Sequence, residues 1–283
     1  MWQLFLIISI IANSFSTVLQ KVLLKNNKSD PITYAIVFEF LCAIAIGIYA
    51  FFEGFILPKD IITLLPNILL ATILYSAGNI FLFKSLKLID ASEFTVLFVT
   101  RGIWIIITAV LFLHERFSYM QDAGTALVLL GVILVTIRKH AIQMNRGVWY
   151  GLLSAFFFGV AFPNDGYVVT HFTHPVTYSF IIFILPALAL MAVYPKKTIA
   201  IPNMMNKALL VRIIILSIIY AIFGVTILLA YKYGGDASQI GAISQISTII
   251  TVLLSIIFLK ETSDLWKKVI GALLGFLGVI LIK

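Results

Sequence analysis

The chain has 283 residues, of which 61% are hydrophobic and only 11% are charged. Soluble domains carry about 25% charged residues, so this composition excludes a protein whose surface is covered by water. The formal net charge of +8 does not indicate nucleic acid, because the basic residues lie in short loops between apolar segments, as cytoplasmic membrane faces require.

The apolar segments predict an all-α membrane protein. In lipid every backbone polar group must be satisfied internally, and unalternating apolar runs of about twenty residues favour helices over barrel strands. Breaks at proline, glycine and charge clusters divide the chain into ten predicted spans. In chain order they cover 2–24, 32–55, 62–86, 91–113, 119–138, 147–170, 176–194, 208–231, 237–259 and 265–282.

Polar residues in the first three spans are candidates for a binding site. Glu39 lies seven residues into span 2, and an ionisable residue at depth indicates a functional site by default. In span 3, Tyr75 and Asn79 are four residues apart and share one helix face. We predict that these residues and Asn13 of span 1 contact a substrate, with helix packing as the alternative for Asn13 and core packing for Tyr75.

Arg101 lies near the middle of span 4. Either membrane surface is about 15 Å away along the helix axis, so the side chain must face the bundle interior, water or an acid. Arg101 and Glu39 could form a pair that only locks two spans together. Alternatively, one or both contact the substrate or a coupling proton, with Arg101 binding a carboxylate through two hydrogen bonds, or no pair forms. Trp104 is expected near the same face and is a candidate to stack on a substrate, with core packing as the default alternative.

Two later spans carry further candidates. Pro163, Asn164, Asp165 and Gly166 interrupt span 6, which predicts a broken or bent helix that lines a cavity, with a packed kink as the alternative. Asn164 and Asp165 are predicted to bind substrate, and Asp165 is also a candidate for a coupling proton or a helix cap. In span 9 we expect Ser244 and Gln245 to line the cavity.

The sequence indicates no catalytic or metal chemistry. The single cysteine, Cys42, lies in an apolar run, and no metalloprotease or nucleophile-elbow motif is present. His171 and His174 lack nearby carboxylate or cysteine partners in the sequence and are interpreted as ordinary loop residues. We expect no enzyme activity, no cofactor and no nucleic-acid partner. The expected partners are a small-molecule substrate and the lipid bilayer, with the protein acting as a monomer or homodimer.

Two parts of the sequence repeat each other. Residues 90–115 match residues 236–261, and each copy reads DAS, then a span, then FL-x-E. The match continues with Gly124 against Gly271 and with GVILV against GVILI. The chain is therefore predicted to form two five-span repeats, 1–140 and 147–283. Because five is odd, the second repeat is inverted in the membrane, which places a site between the halves and permits alternating access.

The repeated segments also carry a family resemblance. LFLHERFSYMQDAGTALVLLGVILV and IIFLKETSDLWKKVIGALLGFLGVILI resemble the two signature ends of EamA-domain transporters of the drug/metabolite transporter (DMT) superfamily. In that family a Leu-x-Glu turn follows one span and precedes a glycine-rich final helix. The resemblance extends over essentially the whole chain. It implies a metabolite carrier, often an exporter of amino acids or related solutes, with a central cavity between the halves.

The chain departs from the family pattern in three respects. Arg101-Gly102 and Thr248 stand where a mid-span proline is usual, so the helix break is either absent or supplied by glycine. Glu39 stands where the family usually has an arginine in span 2. The resemblance implies cytoplasmic termini, whereas fifteen of the twenty basic residues lie at the loops after odd-numbered spans, which places the termini outside. Both orientations stay open.

The expected function is that of a secondary transporter that moves a small polar or amphipathic metabolite by alternating access. An amino acid or related zwitterion is the preferred substrate, and export is the preferred direction. The alternatives are nucleotide-type or cationic drug-like solutes in the same fold, and, ranked lower, an intramembrane enzyme or a channel. We expect a multi-pass protein of the cell membrane, namely of a prokaryotic inner membrane.

Overall fold

A computed structural model describes residues 1–24, 30–113, 119–138, 141–142, 144–204, 207–233, 240, 243–244 and 246–282. These residues are almost entirely α-helical, as predicted. The helices are α1 (Trp2–Leu24), α2 (Pro31–Glu53), α3 (Ile61–Leu88), α4 (Ala91–Phe98), α5 (Arg101–Leu113), α6 (Tyr119–Thr136), α7 (Arg146–Thr170), α8 (Pro175–Val193), α9 (Pro195–Ile199), α10 (Ile201–Met204), α11 (Lys207–Lys232), α12 (Ile246–Leu259) and α13 (Leu265–Ile282). One antiparallel pairing of β1 (Ile137–Arg138) with β2 (Ala141–Ile142) departs from the all-α prediction and joins the end of the first proposed repeat to the connection that follows it.

Six described helices, α1, α2, α3, α7, α8 and α11, are long and apolar enough to cross a membrane. They correspond to predicted spans 1, 2, 3, 6, 7 and 8. The other predicted spans coincide with shorter helices, namely α4 with α5, then α6, α12 and α13. The count of ten spans therefore stays a prediction.

Side chains form hydrogen bonds with backbone groups at helix ends, which have no partner within the helix. Asp30 precedes Pro31 and accepts a hydrogen bond from the Thr33 amide at 2.9 Å, which is a standard N-cap. At the end of α3, the Lys21 ammonium group donates to the carbonyl oxygens of Leu86 and Ile89. A cation at a helix C-terminus also opposes the negative end of the helix dipole.

Packing between helices follows the symmetry of the predicted repeat. The contact of α3 with α7 has its counterpart in α11 with α1, and that of α2 with α11 has its counterpart in α8 with α3. Helices α2 and α6 pack against their own equivalents, α8 and α13. Most of the apolar core consequently lies where one half meets the other.

Glycines that the sequence repeat aligns make the closest approach between the halves. A Cβ atom added to Gly131 would lie 2.7 Å from the Gly271 carbonyl oxygen, and one added to Gly278 would lie 2.6 Å from the Gly124 oxygen. The two contacts are counterparts under the repeat. Glycine is required at these positions because any side chain would force α6 and α13 apart.

The repeated motifs DAS and FL-x-E contact each other across the halves. Glu261 accepts hydrogen bonds from the backbone amides of Ala91 and Ser92 at 3.0 and 3.1 Å, and from the Ser92 hydroxyl at 2.6 Å. The neighbouring Asp90 accepts from the Lys268 ammonium at 2.6 Å. The second copy of FL-x-E therefore caps the helix that begins at the first copy of DAS. The counterparts Glu115 and Asp236 lie outside the described residues.

The structure answers two expectations about helix breaks. Span 4 is interrupted between α4 and α5 without a proline, because the amides of Thr100 and Gly102 bond to carbonyls only three residues back. Span 6 is not broken: α7 continues through Pro163 from Arg146 to Thr170. Proline removes one helical bond, and α7 is held on both sides of that position by the close contact at Gly159 and the hydrogen bonds of Asp165.

Candidate functional site

A buried cavity lies between the two halves and is lined by residues from α1 to α5, α7, α8, α11 and α12. Its volume is about 80 Å³, which is enough for several water molecules. The polar and ionisable residues of its lining are Asn13, Thr17, Gln20, Glu39, Tyr75, Asn79, Thr95, Arg101, Asp165, Tyr220, Tyr231, Ser247, Thr248 and Thr251.

Arg101 enters the cavity because it is the first residue of α5, directly after the break in span 4. Its guanidinium carbon lies 4.7 Å from the ring centre of Phe98 and 5.1 Å from that of Phe162. Both distances are typical of cation–π contacts. Among the described residues, no hydrogen-bond acceptor binds this guanidinium, although the side chain is buried.

Glu39 lies on the cavity wall in α2 and is also buried. The Asn79 side-chain amide donates to its Oε1 atom. The other carboxylate oxygen, Oε2, is buried without a hydrogen-bond partner, and so is the Asn79 oxygen Oδ1. These two oxygens are therefore free to accept hydrogen bonds from a ligand. A ligand that donates to them would remove the free-energy cost of leaving a buried acceptor unpaired.

Arg101 and Glu39 form no ion pair with each other in this structure. The carboxylate of Glu39 is bound by Asn79, whereas the guanidinium of Arg101 lies between Phe98 and Phe162. The interpretation that the two only lock spans 2 and 4 together is therefore wrong. The physical reason is that each side chain is held by residues from other helices, α3 for Glu39 and α4 and α7 for Arg101.

Asp165 forms the third ionisable element of the cavity. The hydroxyl groups of Tyr75 and Tyr178 donate to its two carboxylate oxygens, Tyr178 at 2.6 Å. These residues come from α7, α3 and α8. Unlike Glu39, Asp165 has a donor on each oxygen, so the arrangement fixes the carboxylate in place.

The remaining predicted site residues divide between the cavity and its surroundings. Asn13 lines the cavity, and Ser244 lines a small adjoining pocket together with Asn13 and Arg101. Trp104 instead packs edge-on against Phe156, at 4.8 Å between ring centres.

Asn164 points away from the cavity, because it is bound by Asn67. Its side-chain oxygen accepts from the Asn67 amide group at 2.9 Å, and its nitrogen donates to the Asn67 carbonyl at 3.0 Å. The structure therefore brings neither Trp104 nor Asn164 into the cavity lining. Gln245 lies outside the described residues.

Sequence reasoning missed several residues of the cavity. Thr17 and Gln20 follow Asn13 at helical spacing, and their polar character on one face of an apolar span was a usable signal. Phe98 and Phe162 gave no such signal, because the chain contains 23 phenylalanines. Tyr178 could be recognised as a partner of Asp165 only from the tertiary structure.

Comparison with known proteins agrees with this architecture. The model of the EamA-like transporter family matches twice, over residues 1–137 and 145–283. A solved crystal structure with 13% sequence identity superposes on the chain with a TM-score of 0.62, covering 99% of this chain and 95% of the other, which shows the shared fold. Among curated proteins no match was found. The chain belongs to the EamA-like transporter family, and it is a multi-pass membrane transporter of the DMT type.

Proposed function

We propose that the cavity binds a small zwitterion such as an amino acid, and that the two halves move it across the membrane by alternating access. Export is proposed as the direction on the family resemblance alone. On the same basis we propose the inner membrane of a prokaryote as the location. The packing symmetry of the halves supports alternating access, since inverted repeats can exchange conformations about a central site.

The observation that carries this proposal is an acidic and a basic side chain on one cavity, each with unused hydrogen-bonding capacity. Arg101 has no acceptor among the described residues, and Glu39 has a buried oxygen without a donor. A carboxylate can accept two hydrogen bonds from the guanidinium group. An ammonium group can donate to Glu39 and to the free oxygen of Asn79. A zwitterion supplies both groups in one molecule.

Two alternative substrate classes fit less well. Nucleotide-type solutes need several cations and a large volume, whereas Arg101 is the one cationic side chain among the described lining residues and the cavity is about 80 Å³. Cationic solutes are favoured by the two acids, Glu39 and Asp165, but they would leave Arg101 without an anion.

For Asp165, whose carboxylate is already held by two tyrosines, we propose a role as the site of a coupling proton.

The test compares ligands that differ only in charged groups. The purified protein is titrated with leucine, with its amine analogue lacking the carboxylate, and with its acid analogue lacking the ammonium, and thermal unfolding is recorded. Only leucine should stabilise the wild type, and Arg101→Gln and Glu39→Gln should each weaken binding roughly 10- to 150-fold. The matched control is Lys84→Gln, which removes a helical cation that lies over Phe81 and Tyr150 outside the cavity lining.

Transport of labelled leucine into proteoliposomes then connects binding to function. Both cavity variants should lose transport while Lys84→Gln retains it. Equal stabilisation by the amine alone would favour the cationic alternative and contradict the role assigned to Arg101. Wild-type transport by Arg101→Gln would do the same.

A further inference from the structure

Besides Asp90–Lys268, three ion pairs near the helix ends connect the first half of the chain to the second. The first joins Asp30, the N-cap of α2, to Lys197 of α9, with 2.9 Å between the charged atoms. The N- and C-terminal ends of α2 are separated by 23 residues, or about 35 Å at 1.5 Å per residue. An ion pair at Asp30 and one at the C-terminus of α2 therefore lie at opposite ends of the protein.

The other two pairs involve histidines at the opposite end. His171 Nδ1 lies 2.8 Å from an oxygen of Asp60, and His174 Nδ1 lies 3.7 Å from Oε1 of Glu53, the last residue of α2. The second oxygen of Glu53 is buried without a hydrogen-bond partner. The histidines lie between α7 and α8, as interpreted, but they have carboxylate partners that the sequence did not indicate, because these partners come from the other half.

The sequence repeat makes these ion pairs structural counterparts. Asp30-Pro31 begins α2, and His174-Pro175 begins α8, its equivalent in the second half. Asp30 contacts the connection that follows α8, whereas His174 contacts the end of α2. The same type of contact between halves is therefore built twice, once with lysine and once with histidine.

We propose that the end of the protein held by the two histidine–carboxylate pairs opens and closes with pH, whereas the Asp30–Lys197 end does not respond between pH 5 and 8. Histidine is the side chain whose charge ordinarily changes in this interval, while lysine stays charged. Protonation adds a charge to both histidines and strengthens their pairs, so acid favours closure at this end. The proposal rests on the alternating-access part of the proposed function, and not on the identity of the substrate.

The other groups near the histidines do not reverse the expected direction of the pH response, in which acid favours closure. Tyr167 faces His171, with 5.1 Å between ring centres, and Tyr49 of α2 is in electrostatic contact with Glu53. Lys232 of α11 donates to the carbonyl oxygen of Phe172, between the two histidines. Tyrosine and lysine are not residue types whose charge ordinarily changes in this interval, so the proposal assigns the change to the histidines.

The test measures the distance between halves at each end, without substrate. Spin labels at Lys59→Cys and Thr173→Cys report on the histidine end, in a Cys42→Ala background that removes the only native cysteine. Lowering the pH from 8 to 5 should raise the ratio of the short-distance to the long-distance population about two- to tenfold, the range expected for two partly exposed ion pairs. Labels at Leu88→Cys and Ile199→Cys should show no pH dependence.

Matched variants separate the histidines from other causes. His171→Gln/His174→Gln should abolish the pH response, and His171→Lys/His174→Lys should keep the short distance at both pH values. Lys197→His should transfer a response of the same sign to the opposite end.

An unchanged pH response in the glutamine and lysine variants would overturn the proposal. Distances that do not change with pH in the wild type would also overturn it. Because no ligand is present, failure of the leucine titration would contradict only the proposed substrate.

Discussion

Gly159 of α7 sets the position of Arg101, and this contact gives a quantitative prediction. A Cβ atom added at Gly159 would lie 2.7 Å from the Arg101 carbonyl oxygen and 2.6 Å from the Cβ atom of Trp104. Both distances are shorter than van der Waals contact, and one of the atoms belongs to the backbone. In Gly159→Ala, α5 must therefore shift away from α7, and Arg101 must shift with it.

The expected cost of Gly159→Ala follows from two opposing terms. Overpacking a tight contact destabilises a protein by about 1 to 3 kcal/mol, whereas replacing a helical glycine by alanine stabilises it by about 0.5 to 1 kcal/mol. The net result should be a loss of between zero and about 2.5 kcal/mol. Because the guanidinium group also moves, leucine binding should weaken even at temperatures where the variant is fully folded.

Gly166→Ala is the matched control, because Gly166 lies in the same helix and an added Cβ would meet no atom within 4 Å. Only the favourable helix term applies there, so this variant should be as stable as the wild type or slightly more stable. Thermal unfolding in one detergent and leucine titration of all three proteins make the comparison. Equal stability and equal binding for the two alanine variants would refute the argument that Gly159 positions Arg101.

Three further predictions concern contacts of the acids. Glu261→Gln should lose about 1 to 3 kcal/mol, because it removes the negative charge that strengthens the bonds to the amides of Ala91 and Ser92 and replaces one acceptor oxygen by a donor; a melting temperature equal to that of the wild type would contradict the capping role. Although burial acts to raise the pKa of Asp90, the hydrogen bond and charge of Lys268 lower it below its usual range. A lowered folded-state pKa gives stability that is present above pH 4 and lost as the pH falls through the folded-state value, so Asp90→Asn should flatten the acid limb of a pH–stability curve, and an unchanged limb would exclude the effect. Tyr178→Phe should cost about 1 to 3 kcal/mol in thermal unfolding because it leaves one oxygen of buried Asp165 without its donor, and Tyr167→Phe, at a half-exposed position, is the neutral control.

Much of the architecture could be predicted because hydrophobicity and repeats are local properties of a sequence. Long apolar runs indicated the helices, and ionisable residues at depth led to Arg101 and Glu39, which both line the cavity. The partners of these residues could not be predicted. Glu39 binds Asn79, forty residues away, rather than Arg101, and the carboxylates that pair with His171 and His174 come from the other half. Such pairings depend on helix packing, which no local pattern encodes.

The scaffold of this transporter is symmetric, whereas its charges are not. The glycines of α6 and α13 and the helix pairs repeat between the halves. Arg101, however, aligns with Ser247, and Asp165 aligns with Val18, so neither charge has a counterpart in the other half. A symmetric scaffold gives two related conformations that open to opposite sides. In both conformations, the asymmetric charges would give the proposed zwitterion a single orientation, with its carboxylate towards Arg101 and its ammonium group towards Glu39.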